Sequence, residues 1–397
     1  MPDGQDAITI KLVNRIGAIS AADWDACAGI GADGAGNPFV MHAFLAALED
    51  SGSATAETGW APHHLVATDA AGRMIGAAPM YLKSHSYGEY VFDWGWAEAY
   101  ERAGGKYYPK LQVSVPFTPA TGPRLLVRPG LPAEMASIVR SALIGAMERV
   151  AGGNRLSSVH VTFPTETEAK ALGEAGWLRR AGQQFHWENR GYGAFDDFLD
   201  ALSSRKRKTI RKERREVAES GVTVRPLTGG EIEPRHWDAF HRFYLATADH
   251  KWGNPYLTRE FFHQIGETMA DRILLVVAER EGRPVAGALN LMGDGTLYGR
   301  NWGCEGEFKF LHFEACYYQA IDFAIRHGFA RVEAGAQGTH KIQRGYLPVE
   351  THSAHWIADP GFRDAVGKFL ERERMHVHAE MAGLSEYSPF RKDGDEA

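Results

Sequence analysis

The sequence predicts an α/β protein with α+β mixed sheets, built as two similar domains in tandem. Three observations carry that prediction. The chain has 397 residues, more than one hydrophobic core ordinarily organises. Two stretches, HLVATDAAGRMIGAAPMYL (His64 to Leu82) and LLVVAEREGRPVAGALNLM (Leu274 to Met292), repeat one design about 210 residues apart, half the chain length. The elements around each stretch also come in the same order: helix, hairpin, helix, strand.

In the first copy, PFVMHAFLAALEDSG spaces its apolar residues as a helix does, with Gly52 just past the end. The hairpin follows, an apolar strand, a charged turn closing on Gly72-Arg73, and a strand of small and apolar residues. Its glycine supplies the positive φ that a tight turn needs. An aromatic stretch then leads to a helix, PAEMASIVRSALIGAMERVAGG, and a strand, SSVHVTF. The second copy opens on a basic helix, Ser203 to Val217, followed by HWDAFHRFYLATADHKWG and a helix start at Thr258. Its hairpin turns on Gly282-Arg283. A short strand, a Gly-broken turn over Arg300 to Gly306, a helix from Phe308 to His327, the strand ARVEAG and the loop GTHKIQRGYLP complete it. The boundary falls near Phe195, giving domains 1–195 and 196–397, with a last helix from Gly361 to about Met381 expected to return to the first domain.

Composition bounds the class. Hydrophobic residues make up 44% and charged residues 24%, as in soluble globular proteins. A net charge of −6 argues against DNA as a partner and leaves only a local basic patch for nucleic acid. The sequence offers no apolar run long enough for a bilayer and no signal-peptide pattern, so a cytoplasmic location is expected. Cys27, Cys304 and Cys316 lack metal-ligand spacing and read as thiols in a reducing compartment. His352 and His355, three apart on a strand, point to opposite faces, so no metal site is expected. No nucleophile elbow, P-loop or dinucleotide fingerprint is present.

The most informative stretch is LYGRNWGCEGEFKFLHFEACYYQAIDFAIRHGFARVEAGAQGTHKIQRGYLP, Leu297 to Pro348. A strand feeding a helix exposes backbone N–H groups and a positive dipole end, which suits an acyl donor carrying phosphates. The arrangement resembles the core of GNAT-type acyltransferases. Together with KSHSYGEYVFDWGWAEAYERAGGKYYPKLQVSVPFTPATGPRLL in the first half, it resembles a bacterial family of N-acyltransferases described as peptidoglycan biosynthesis/recognition and related to the Fem-type aminoacyltransferases. The resemblance runs from about Pro38 to Pro389. It implies two tandem GNAT-like domains and transfer of an acyl or aminoacyl group to a primary amine, on a muropeptide or a small molecule. It also implies no bound cofactor, the donor being a co-substrate, aminoacyl-tRNA or acyl-CoA. Acetyl-CoA enzymes of this type carry Arg/Gln-x-x-Gly-x-Gly/Ala after the strand. Here Arg300-Asn301-Trp302-Gly303-Cys304-Glu305-Gly306 sets the second glycine one place late and brings in an acid, a departure that counts against acetyl-CoA, while the resemblance to the Fem branch implies tRNA as a possible partner. An acetyl-CoA-dependent N-acetyltransferase and a non-catalytic precursor-binding module are the alternatives.

Amide formation needs an oxyanion donor, a route for the amine's proton and charge to hold the donor. The resemblance places a catalytic lysine at Lys341, although His340 precedes it where the Fem pattern has Phe. His340 and His312 are candidate proton acceptors. Glu333 and Glu314 would orient them, act as base, or form ion pairs with Arg300 or Lys341. Arg300, Trp302, Gly303, Gln337 and Gly338 are expected to line the donor crevice, with the oxyanion amide around Asn301 to Gly303. In the first half, Asp93, Trp94, Tyr107 and Tyr108 are expected to form an acceptor site, with Lys110 and Arg124 meeting an anionic group. The basic helix carries eight basic residues against Glu213 and Glu216. Lys206, Arg207 and Arg211 are its phosphate-contact candidates, and a solvated charged face is the alternative.

Overall fold

The computed structural model describes residues 8–31, 35–251, 255–335 and 338–391. It divides into two compact units, 1–182 with 351–377, and 183–350 with 378–397. Where the sequence drew one boundary at Phe195, each unit is assembled from separate segments.

The first unit contains β1 (Thr9–Val13), α1 (Ala21–Ala28), α2 (His42–Asp50), β2 (Trp60–Pro62), β3 (His64–Thr68), β4 (Met74–Ala78) and β5 (Met80–Lys83). It continues through α3 (Trp94–Arg102), β6 (Lys110–Val113), β7 (Leu126–Val127), α4 (Ala133–Gly153), β8 (Ser158–Thr162) and α5 (Glu166–Glu174). The strand β9 (Leu178–Glu188) begins here and ends in the second unit. One sheet has the order β1-β3-β4-β7, and a second ladder joins β2, β5, β6 and β8. Val139, Leu143 and Met147 of α4 are buried in a core with Leu65, Ile75, Leu111 and Val159. A complete capping box on Thr165 starts α5, satisfying two of the helix's unpaired donors.

The second unit holds α6 (Phe195–Asp200), α7 (Ser204–Glu219), β10 (Val222–Thr228), α8 (Pro234–Lys251), α9 (Arg259–Thr268), β11 (Ile273–Arg280), β12 (Arg283–Gly293) and β13 (Thr296–Cys304). Then come α10 (Leu311–Phe313), a π-turn over Glu314–Tyr318, α11 (Gln319–Arg326) and β14 (Arg331–Glu333). The sheet order is β10-β11-β12-β13-β14-β9. The strand β15 (Leu347–Ile357) starts in this unit, and its far half pairs with β8 of the first. Val366 and Leu370 of α12 (Pro360–Ser385) lie in a first-unit core cluster with Trp96 and Tyr107.

Both repeated hairpins form, turning on Gly72 and Gly282 with φ of 79° and 72°. One difference between them changes the pairing. Pro79 separates β4 from β5, and these strands pair in different ladders. Proline has no N–H to continue the ladder. The matching place in the second copy is Leu289, and β12 runs unbroken for 11 residues.

Two expectations near the second hairpin are corrected. The turn expected over Arg300 to Gly306 is strand as far as Cys304, because its residues pair with β12 up to Ala286↔Cys304. The helix expected from Phe308 starts at Leu311, since Phe310 sits at a left-handed φ of 63° that breaks helical continuation.

Candidate functional site

Strand pairing in the second unit creates the site. The parallel pair of β13 and β14 covers only Thr296↔Arg331, Leu297↔Val332 and Tyr298↔Glu333. Beyond that, β13 runs on to Cys304 while β14 stops, so the sheet parts next to Glu333. A register shift opposite Leu289/Asn290 leaves Arg300 as an extra residue on β13. Such a bulge bends the strand and increases its local twist, here beside the gap. Gly299 sits there because a Cβ would come 3.2 Å from the Glu333 carbonyl oxygen.

Glu333 is 3% exposed and neither carboxylate oxygen accepts a hydrogen bond. Arg331 Nε lies 3.2 Å from Oε1, close enough for charge attraction but outside hydrogen-bond geometry. Burial raises the Glu333 pKa to about 7, against the opposing pull of Arg331 and Arg300. Its cross-strand partner on β9 is His186, whose Nε2 lies 3.8 Å from Glu333 Oε2. Burial lowers the imidazole to about 3, so the ring is neutral, and its Nδ1 has no hydrogen-bond partner.

Lys341 is 5% exposed and lies in the 3₁₀ segment Thr339–Arg344. Its ammonium donates to the carbonyls of Ala334 and, at 3.2 Å, Gly335, the two residues just after β14. Burial brings it down to about 8. Gly338 opens this segment at a φ of 99°, where a Cβ would strike the His340 ring. Gln337 lies outside the described residues.

Arg344 anchors the far end of the segment: its Nη2 donates to both oxygens of buried Glu213 of α7, at 2.8 and 2.9 Å, and Tyr318 donates to the same carboxylate. The basic helix is therefore tied to the lysine-bearing loop. Lys206 also donates to Gln343. Arg207 and Arg211 pair with Asp200 and Asp196 of α6 at 2.7 and 3.2 Å, while Arg205 and Lys208 are exposed.

The histidines expected as bases stand together. His340 hydrogen-bonds Tyr317 at 3.0 Å, and His312 stacks edge-on to Trp302, Tyr317 and His340. Glu314 is held by Arg214 at 3.1 and 3.2 Å and by Gln319 at 2.8 Å, which makes it the anchor of an ion pair. Its partner is Arg214, where Arg300 or Lys341 had been expected. Gly303, expected at the donor turn, serves packing: a Cβ would lie 2.2 Å from the backbone of Phe243 in α8.

In the first unit, the expected acceptor residues converge, but as a buried network. Lys110 donates to Ser86 and Glu89 at 2.8 Å and to Asp93 at 2.5 Å. Tyr107 donates to Asp93 at 2.6 Å, and Tyr108 shares a hydrogen bond with Ser86. Beyond them, His160 and His355 meet Nδ1 to Nδ1 at 2.7 Å. Trp94 stands apart at 48% exposure. Arg124, expected to meet an anion, is buried and donates to the carbonyls of Thr162, Pro123 and Ala120.

His186 and its neighbour Gln184 escaped the sequence reading. The signal was the alternation in QQFHWE, which sets polar residues on one strand face and Phe185 and Trp187 on the other.

No curated protein matches the sequence. Among solved structures, FemX is similar, with a TM-score of 0.55 at 12% identity over 88% of this chain and 98% of its own. The C-terminal domain of a putative lysylphosphatidylglycerol synthetase from Agrobacterium fabrum matches with a TM-score of 0.53, 8% identity and coverages of 89% and 96%. L-PGS from Bacillus licheniformis matches with a TM-score of 0.50, 10% identity and coverages of 82% and 96%. At these identities the likeness is one of fold, shared along almost the whole length. The family model for peptidoglycan biosynthesis/recognition proteins matches residues 15–392, and the chain belongs to this FemAB-like family.

Proposed function

We propose that this protein is an N-acyltransferase that moves an aminoacyl group from tRNA to a primary amine of a peptidoglycan-type precursor, with its chemistry in the second unit. The observation that carries the reading is Glu333, buried without a hydrogen bond where β13 and β14 part, next to the carbonyls that Lys341 holds. The amine nitrogen attacks the ester carbonyl of the donor. Glu333, poised near neutral pH, accepts the proton the nitrogen sheds. The Lys341 ammonium offsets charge on the carbonyl oxygen. The C–O bond then breaks, the proton held by Glu333 goes to the leaving sugar hydroxyl, and the amide is released.

The eight basic residues of α7, tied through Glu213 and Arg344 to the lysine loop, support a polyanionic donor. The test is intact mass spectrometry of muropeptide amines incubated with the protein and either charged tRNA or acyl-CoA. The reading expects an aminoacyl mass increment with charged tRNA, lost in Lys341→Ala. An increment with acyl-CoA alone would reassign the donor. No increment with either, alongside retained acceptor binding, would make the protein a recognition module.

A further inference from the structure

We infer that His186 and Glu333 form a buried recognition site for a primary ammonium group, the form in which an amine acceptor arrives. The inference rests on the proposed transfer reaction for its biological meaning, but its physical basis is separate. Burying a carboxylate without a hydrogen bond is costly, and buried polar groups are otherwise nearly always satisfied. Here three acceptor positions are left open on one cross-strand pair: both oxygens of Glu333 and Nδ1 of His186. Both side chains are more than nine-tenths buried. The imidazole is neutral, so its unprotonated nitrogen accepts and does not donate.

A ligand that completes this pair must bring several N–H donors and positive charge on a small group. A primary ammonium does so. A quaternary ammonium has the charge without donors, and a carboxylate would meet Glu333 with like charge. The pair lies where β13 and β14 part, next to the carbonyls of Ala334 and Gly335 that Lys341 holds.

The groups facing Glu333 are Arg331 at 3.2 Å, His186 at 3.8 Å, Arg300, and Tyr298 across the β13 pair. His186 stays neutral, and burial pushes Tyr298 far above neutrality. Lys341, which acts on His186, titrates near 8. Between pH 6 and 7.5 Glu333 is thus the group that changes charge.

The experiment is calorimetric titration of the full chain, without any acyl donor, using n-butylammonium, tetramethylammonium and acetate as probes. Butylammonium should bind, with an affinity rising about eightfold from pH 6 to 7.5 as Glu333 ionises from a pKa of about 7. Glu333→Gln should weaken it at least tenfold, and His186→Phe should weaken it as well. Should His186→Phe misfold, Glu333→Gln alone decides. Equal binding of tetramethylammonium, preference for acetate, no binding of butylammonium, or binding indifferent to Glu333→Gln would each overturn the inference. Failure of transfer with ammonium binding intact would instead count against the proposed reaction.

Discussion

Replacing Glu333 with glutamine removes a charge that the folded protein holds at a cost, so the variant should gain stability as it loses activity. The carboxyl has an ordinary value of 4.5 and sits near 7 when folded, raised mainly by burial. Below 4.5 it is protonated in both states. Between 4.5 and 7 the unfolded chain releases the proton and the folded chain keeps it, so stability falls as pH rises through that window. A shift of this size corresponds to about 3 kcal/mol, since each pKa unit is worth about 1.4 kcal/mol. Glutamine does not titrate. The melting temperature of Glu333→Gln relative to the unaltered protein should therefore climb between pH 5 and pH 8, by about 5–10 °C for a unit of this size. Differential scanning calorimetry at the two pH values makes the measurement, and transfer assays on the same samples should show activity reduced at least about 100-fold. A stability difference that does not change with pH would refute the reasoning. It would mean that the contact with Arg331 is an ordinary ion pair and that Glu333 ionises like an exposed acid.

Other substitutions probe the frame around it. Lys341→Ala should lower transfer about 100- to 1,000-fold in single-turnover assays while leaving acceptor binding intact, as loss of an oxyanion donor does. In Gly303→Ala the new methyl meets the Phe243 backbone at 2.2 Å, so denaturant titration should show a loss of about 1–3 kcal/mol. Lys110→Met leaves Glu89 and Asp93 buried without their cation. It should cost about 3–5 kcal/mol by chemical denaturation, with partial recovery when Asp93→Asn is added.

Much of this protein was legible before any coordinates. The hairpin glycines, the Thr258 cap and the apolar spacing of α2, α4 and α8 are signals between residues a few positions apart, and each formed where expected. The lysine loop and Glu333 stand out in the sequence because their charged residues lie just after and on a short strand. Other signals misled. Gly303 looked like part of an anion-binding turn, yet its missing side chain makes room for a helix about 60 residues earlier in the chain. Arg124 looked like an anion contact, yet it bridges carbonyls of its own unit. Polar residues in the sequence show what they can bind, and only packing shows what has already bound them.

By itself the sequence determined the two repeated hairpins, the mixed α/β class and the identity of the helices, because short-range periodicity and turn chemistry encode these. Tertiary structure decided which polar groups meet. His186 and Glu333 are about 150 residues apart, and sheet order alone makes them cross-strand neighbours. Burial then does the rest, withdrawing water from that pair until a common carboxylate and a common imidazole become an unusual acid and a neutral acceptor.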